Sequence, residues 1–184
     1  MVDNLENRLI ERSREGDPAA FGELVKTYRR QLFSYLVKMC GDRTAAEDLF
    51  QETLIKVWRG IKNYNEKEKF ASWLFSIAHN CSIDYLRKRK LRLNTFTELK
   101  EESAVEKDMQ EIFASKEFKE KLEEALNELP FRQRQVFFLR QFGELSFKEI
   151  AGITKEPLNT VLSHMHYAVN KLRTALRSEY AQGK

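Results

Sequence analysis

Residues 145–164 read Leu145-Ser146-Phe147-Lys148-Glu149-Ile150-Ala151-Gly152-Ile153-Thr154-Lys155-Glu156-Pro157-Leu158-Asn159-Thr160-Val161-Leu162-Ser163-His164, and the architecture follows from them. Ser146 and Glu149 stand at the spacing of a capping box, in which each side chain satisfies the other's free backbone amide at a helix start. A short helix through Ile150 and Ala151 follows, and Gly152 to Glu156 reads as a tight connection. Pro157 then opens a longer helix to about Arg177, since its missing N–H has no intrahelical partner in a first turn. Val161, Met165, Ala168 and Leu172 form the apolar face of that helix, with Thr160, Ser163, His164, Tyr167 and Lys171 opposite. A short helix, a tight turn and a longer helix outline a helix-turn-helix, whose second helix reads the major groove of DNA.

Upstream of this motif, Pro130 starts a further helix carrying Val136, Phe137 and Leu139 and closed by Gly143. Before it, Phe118, Leu122, Ala125, Leu126 and Leu129 make another helical stripe. The first half of the chain follows the same logic after a short leading helix near Leu5–Arg14. Asp17-Pro18 caps a segment with Phe21, Leu24, Val25, Tyr28, Leu32, Tyr35 and Leu36 at three- and four-residue spacing, ended by Gly41. Thr44 and Glu47 read as a second capping box, opening a helix striped by Phe50, Leu54, Val57, Trp58 and Ile61. After a polar loop, Lys62 to Lys69, a third segment carries Phe70, Trp73, Leu74, Ile77, Ala78, Cys81, Tyr85 and Leu86. It ends in the basic run Arg87 to Arg92. The chain is all-α: two small helical domains, 1–93 and 118–184, joined by an acidic linker, 94–117.

Charge supports that division. Residues 1–93 carry 18 Lys and Arg against 13 Asp and Glu, 94–118 carry 3 against 7, and 119–184 carry 11 against 8. A basic lobe attracts nucleic acid or an acidic membrane surface, although from net charge alone a solvated surface is the commoner reading. No apolar run approaches the roughly 20 residues of a membrane span, and Met-Val-Asp-Asn-Leu-Glu lacks the apolar core of a signal peptide. Cys40 and Cys81 form no CxxC pair and read as buried thiols in a reducing compartment. The expected location is the cytoplasm, with no direct membrane insertion.

Particular residues carry a resemblance. Leu129-Pro130, Arg134-x-Val136-Phe137-x-Leu139-Arg140, Leu145-Ser146-x-x-Glu149-Ile150-Ala151, Pro157-x-x-Thr160-Val161-x-Ser163 and Ala168-x-x-x-Leu172-Arg173 closely resemble the C-terminal domain of bacterial extracytoplasmic-function sigma factors. Asp48-Leu-Phe-Gln51-Glu52-x-x-x-Lys56-Val57-Trp58 resembles that family's polymerase-binding helix. Phe70-x-x-Trp73-Leu74-x-x-Ile77-Ala78-x-Asn80-x-x-x-Asp84-x-x-Arg87 resembles its −10-reading segment.

The resemblance implies a sigma factor that binds core RNA polymerase and directs it to promoter DNA through −10 and −35 elements. Asp48, Leu49, Gln51 and Glu52 would dock on the polymerase, with Leu49 as apolar anchor inside a polar rim. Asn80, Asp84, Arg87 and Lys88 would meet the −10 element, beside a pocket lined by the Lys62–Lys69 loop that takes a flipped base. Ser146, Asn159, Thr160, Ser163, His164, Tyr167 and Lys171 would meet the −35 element. The family often has Lys or Arg at the positions of Leu162, His164 and Tyr167, so a −35 preference of this chain's own is expected. The acidic linker would thread through the enzyme towards the RNA exit path. An anti-sigma factor, commonly membrane-anchored, is the implied inhibitor.

His164 and His166 diverge on their helix and cannot close on one metal ion. No carboxylate pair, Gly-rich phosphate loop or nucleophile beside a base stands out, so no catalysis, metal or cofactor is expected of the chain itself. The rival reading is a stand-alone helix-turn-helix regulator, which would leave the first domain without a purpose.

Overall fold

The computed structural model describes residues 2–65, 69–95 and 116–177, and the chain divides into two compact units. All regular structure among the described residues is helical. The first unit comprises α1 (Val2–Arg14), α2 (Pro18–Cys40), α3 (Arg43–Gly60), a 3₁₀ turn (Ile61–Asn63) and α4 (Phe70–Thr95). The second comprises α5 (Lys116–Asn127), α6 (Phe131–Gly143), α7 (Phe147–Thr154) and α8 (Leu158–Ala175). The two ends of the expected linker are thus helical, and the rest of it, 96–115, lies outside the described residues.

Local chemistry places the ends of α2. The Asp17 carboxylate accepts the Ala19 and Ala20 amides at 2.9 and 3.1 Å, and Arg12 Nε reaches it at 3.0 Å. Chiefly the Ala20 amide, then Arg12, holds this carboxyl below the usual carboxylate range. Gly41 ends the helix with φ 68°, a left-handed conformation that costs glycine little, and its N–H bonds Val37 O at 2.9 Å. At α3 the expected Thr44–Glu47 capping box does not form. Asp42 is the cap instead, accepting the amides of Thr44 at 2.9 Å and Ala45 at 3.4 Å, and Glu47 pairs with Arg43 at 3.5 Å. Asp42 directly follows the turn at Gly41, so its carboxylate meets the first free amides before Thr44 can.

The core of the first unit is built from α2 (Leu24, Leu32, Tyr35, Leu36), α3 (Ala46, Leu49, Val57) and α4 (Phe70, Leu74, Phe75, Ala78, Cys81), closed by Ile10 of α1. Each fully buried Leu or Phe stabilises by roughly 1.5–3 kcal/mol relative to exposure. Phe50, Leu54 and Trp58, expected at the centre of the α3 stripe, are half-buried at its margin. There Phe50 meets Phe33 at 6.0 Å and Trp58 meets Phe21 at 4.9 Å between ring centroids. The buried Tyr35 hydroxyl and Nδ1 of His79 share a hydrogen bond at 2.9 Å, and burial keeps that phenol protonated. The expected face of α4 omitted Phe75 and His79, which are 1% and 5% exposed.

In the second unit, Val136, Phe138 and Leu139 of α6 pack with Ile150 of α7, Val161, Ala168 and Leu172 of α8, and Ala125 and Leu126 of α5. The Ser146–Glu149 capping box forms as the spacing predicts, at 2.6 and 3.3 Å. The turn does not use its glycine. Gly152 lies within α7, and Lys155 takes the left-handed conformation with φ 56°. Glu144 does the same after α6, with φ 52°, while Gly143 remains in the helix. Pro157 and Pro130 sit at the cap position, one residue before the helical turn they were expected to join.

Candidate nucleic-acid interface

On α3, Asp48, Gln51 and Glu52 are exposed along one face, as the helical spacing requires. Leu49 is not with them. It is 5% exposed, because Ala45, Leu49, Thr53 and Val57 form the four-residue row that packs into the core. Its expected role as docking anchor is therefore corrected. The exposed apolar group is Ile55, at 50% exposure, two turns beyond Asp48 and one beyond Gln51. The spacing 48, 51, 52, 55 could have found it. Glu52 pairs with Lys56 at 2.7 Å, and Lys56 Nζ also donates to the buried Cys81 Sγ at 3.3 Å. The Glu52 bond is the first cause raising the Lys56 pKa, so the side chain stays an ammonium bridging α3 to α4.

On α4, Asn80, Asp84, Arg87 and Lys88 are all exposed. Asp84 and Arg87 pair with each other at 3.3 Å, which leaves Asn80 and Lys88 as the open polar groups of the set. Trp73, Ser76 and Asn80 follow at three- and four-residue steps, so the face carrying Asn80 continues back to Trp73. Trp73 is half-buried in an aromatic cluster, 5.1 Å from Tyr64 and 5.8 Å from Phe70 between centroids. Gly60 permits this packing: a Cβ there would stand 3.1 Å from Trp73 Cζ2. Of the Lys62–Lys69 loop, residues 66–68 lie outside the described residues, while Lys62 and Lys69 are exposed.

On α8 the expected −35 set separates. Asn159, Ser163 and Tyr167 lie on the open face, Tyr167 with 60% exposure. Thr160 and His164 are only partly exposed, on the flank. His164 Nε2 stands 3.5 Å from Glu156 Oε2, an electrostatic contact without hydrogen-bond alignment, and Arg132 pairs with Oε1 of the same carboxylate at 2.9 Å. Lys171 donates to the Glu128 carbonyl at 2.7 Å, so its ammonium is engaged within the unit. Ser146, exposed at the start of α7, spends its Oγ as the helix cap. His166 and Asn170, not expected in the set, complete the open row 159, 163, 166, 170 and bond each other at 2.8 Å. Their step from Asn159 was readable from the sequence.

Both cysteines are buried free thiols, and burial pushes the Cys40 thiol up to about 12. Among the described residues no cluster of His, Cys, Asp or Glu is arranged to hold a metal, and no helix is long and apolar enough to cross a membrane.

Known proteins match on the same two units. The sigma-70 region 2 model matches residues 24–92, and the sigma-70 region 4 model matches 119–172. The ECF RNA polymerase sigma factor SigW of Bacillus subtilis (strain 168) is 28% identical over 180 residues, covering 91% of this chain and 95% of that protein. The RNA polymerase sigma factor SigV of the same strain is 33% identical over 155 residues, covering 83% of this chain and 86% of that protein. Among solved structures, the sigma factor RpoE of Bartonella quintana, in complex with the anti-sigma factor NepR, matches with a TM-score of 0.75 and 25% identity over 85% of this chain and 96% of that one. Two helical units in this order, each carrying its own region model, establish that the chain belongs to the ECF RNA polymerase sigma factors, the transcription initiation factors of the sigma-70 family.

Proposed function

We propose that the chain works as a two-site promoter reader carried by core RNA polymerase, with each exposed face assigned a separate task. The α3 face of Asp48, Gln51 and Glu52 docks on the polymerase around Ile55, an apolar centre within a polar rim. Asn80, whose amide both donates and accepts, reads a base edge of the −10 element, and Lys88 with Arg87 meets phosphate. The open row of α8, Asn159, Ser163, His166, Asn170 and Tyr167, reads the −35 element in the major groove. Thr160 and His164 border that row, and Ser146 and Lys171 hold the helices that present it.

The observation that carries this reading is the coincidence of two region models with two separate units, each with an exposed polar helix face. A stand-alone regulator would need only the second. The chain contributes binding, and the chemistry of RNA synthesis stays with the polymerase, in the cytoplasm where that enzyme acts. RpoE of Bartonella quintana is held by an anti-sigma factor, and a proteinaceous inhibitor that covers these same faces is proposed here too.

Transcription in vitro with core polymerase on a library of random promoters tests the function. Promoter-specific transcripts that require the protein are expected, with selected sequences converging on two spaced elements. Transcription that is equal without the protein would overturn the reading, as would DNA binding that needs no polymerase.

A further inference from the structure

The first unit contains a long-range clamp that the expected sites do not use. Arg14, at the end of α1, reaches 47 residues along the chain to donate from Nε to the Ile61 carbonyl at 3.3 Å. Its Nη2 donates to the Tyr64 carbonyl, and its guanidinium lies over the Tyr64 ring at 5.6 Å from the centroid. These carbonyls flank the 3₁₀ turn; that of Ile61 already accepts the Tyr64 N–H at 3.2 Å, so Arg14 adds a second donor there and a donor to the carbonyl just beyond the turn. A planar guanidinium suits two acceptors and a ring face at once, which an ammonium does not.

Tyr64 passes the constraint on. It is 6% exposed, and its ring packs at 5.6 Å against Phe70 and 5.1 Å against Trp73, the first turn of α4. Phe70 in turn packs on Tyr28 of α2 at 5.6 Å. Both feet of the loop that precedes α4 are therefore held in one ring of aromatic contacts, with Arg14 on the near foot. Trp73 is the start of the α4 face that carries Asn80.

We infer that Arg14 is a positioning residue for −10 recognition, fixing the backbone from Ile61 to Tyr64 and, through the Tyr64 ring against Phe70 and Trp73, the start of the α4 face that carries Asn80. This rests on the proposed role of α4. α1 itself need not touch DNA. Its contribution is to the shape of the site, since a small misplacement of a recognition group is enough to lose discrimination.

The test uses complete holoenzyme carrying Arg14→Lys or Arg14→Met, with Asn80→Ala in parallel. Transcription is measured from a promoter selected by the parent holoenzyme and from its single-base −10 and −35 variants. Core-polymerase affinity is titrated separately. For the parent, a wrong base ordinarily costs about five- to hundredfold. With both Arg14 substitutions, discrimination at one or more −10 positions is expected to fall towards unity, with the −35 profile and core affinity unchanged. Lysine should fail to rescue, because it cannot span both carbonyls and the ring. If Arg14→Met is lost to misfolding, Arg14→Lys, which keeps the stem and the charge, decides.

A −10 profile unchanged by Arg14→Lys, with activity lowered equally on every promoter, makes Arg14 a structural cap and overturns the inference. Where that happens while Asn80→Ala does alter the profile, the α4 reading stands alone. An altered profile for Arg14→Lys beside an unaltered one for Asn80→Ala supports the clamp and removes Asn80 from base reading.

Discussion

Lys155 and Glu144 are the non-glycine residues with positive φ among those described, and each turns the chain between two helices of the DNA-reading unit. For an L-residue this conformation costs roughly 1–2 kcal/mol, a cost glycine avoids. Lys155 still closes α7, its N–H bonding the Ala151 carbonyl. Lys155→Gly is therefore expected to raise the stability of the second unit by up to about 1 kcal/mol, read by urea denaturation, and an unchanged or lower midpoint would show that the lysine side chain compensates. Asp17 permits a pH prediction. Its folded pKa is depressed, chiefly by the Ala20 amide, so its stabilisation is complete above the ordinary carboxylate value and is lost as pH falls through the folded value. Melting curves of the parent and Asp17→Ala should thus differ at neutral pH and converge in acid. A gap that persists below the carboxylate range would mean the charge is not what matters.

At the level of the helix, α3 separates folding from binding along its length. Leu49 and Ile55 are similar in size, but one faces the core and the other solvent. Leu49→Ala is expected to cost about 2–5 kcal/mol of stability by leaving a cavity. Ile55→Ala should change stability by less than about 0.5 kcal/mol and weaken core-polymerase binding by about 1 kcal/mol or more. Equilibrium denaturation and a binding titration on the same two variants check both halves. Ile55→Ala with parental affinity would remove the α3 face from the docking proposal. On α8, periodicity alone identified the buried row Val161, Ala168 and Leu172, yet it set Lys171 among the exposed readers. The ammonium instead turns back to Glu128, 43 residues away, a partner no periodicity points to.

For the whole molecule, the basic residues of α4 predict salt dependence. Lys88 and Lys90 are exposed, and neutralising each to Gln should flatten the log–log salt slope of promoter binding by about 1 for every phosphate no longer neutralised. Base preference should not change, and a changed preference with an unchanged slope would give these lysines a different role. Most of the helices and their sigma-type order were legible in the sequence, because apolar spacing, capping residues and glycine or proline punctuation are local signals. So were Asp48, Gln51, Glu52 and Asn80 as exposed residues, since each lies opposite a clear apolar stripe. Ile55 was legible as well, on the helical row 48, 51, 52, 55, and Leu49 on the row 45, 49, 53, 57. Packing of the helices, and nothing local, fixed two other matters. It engaged His164 and Lys171 with Glu156 and Glu128. It also brought Arg14 to the carbonyls of Ile61 and Tyr64. Helix periodicity is a property of neighbours three and four residues apart, whereas a side chain's partner depends on which distant backbone the packed helices bring within reach.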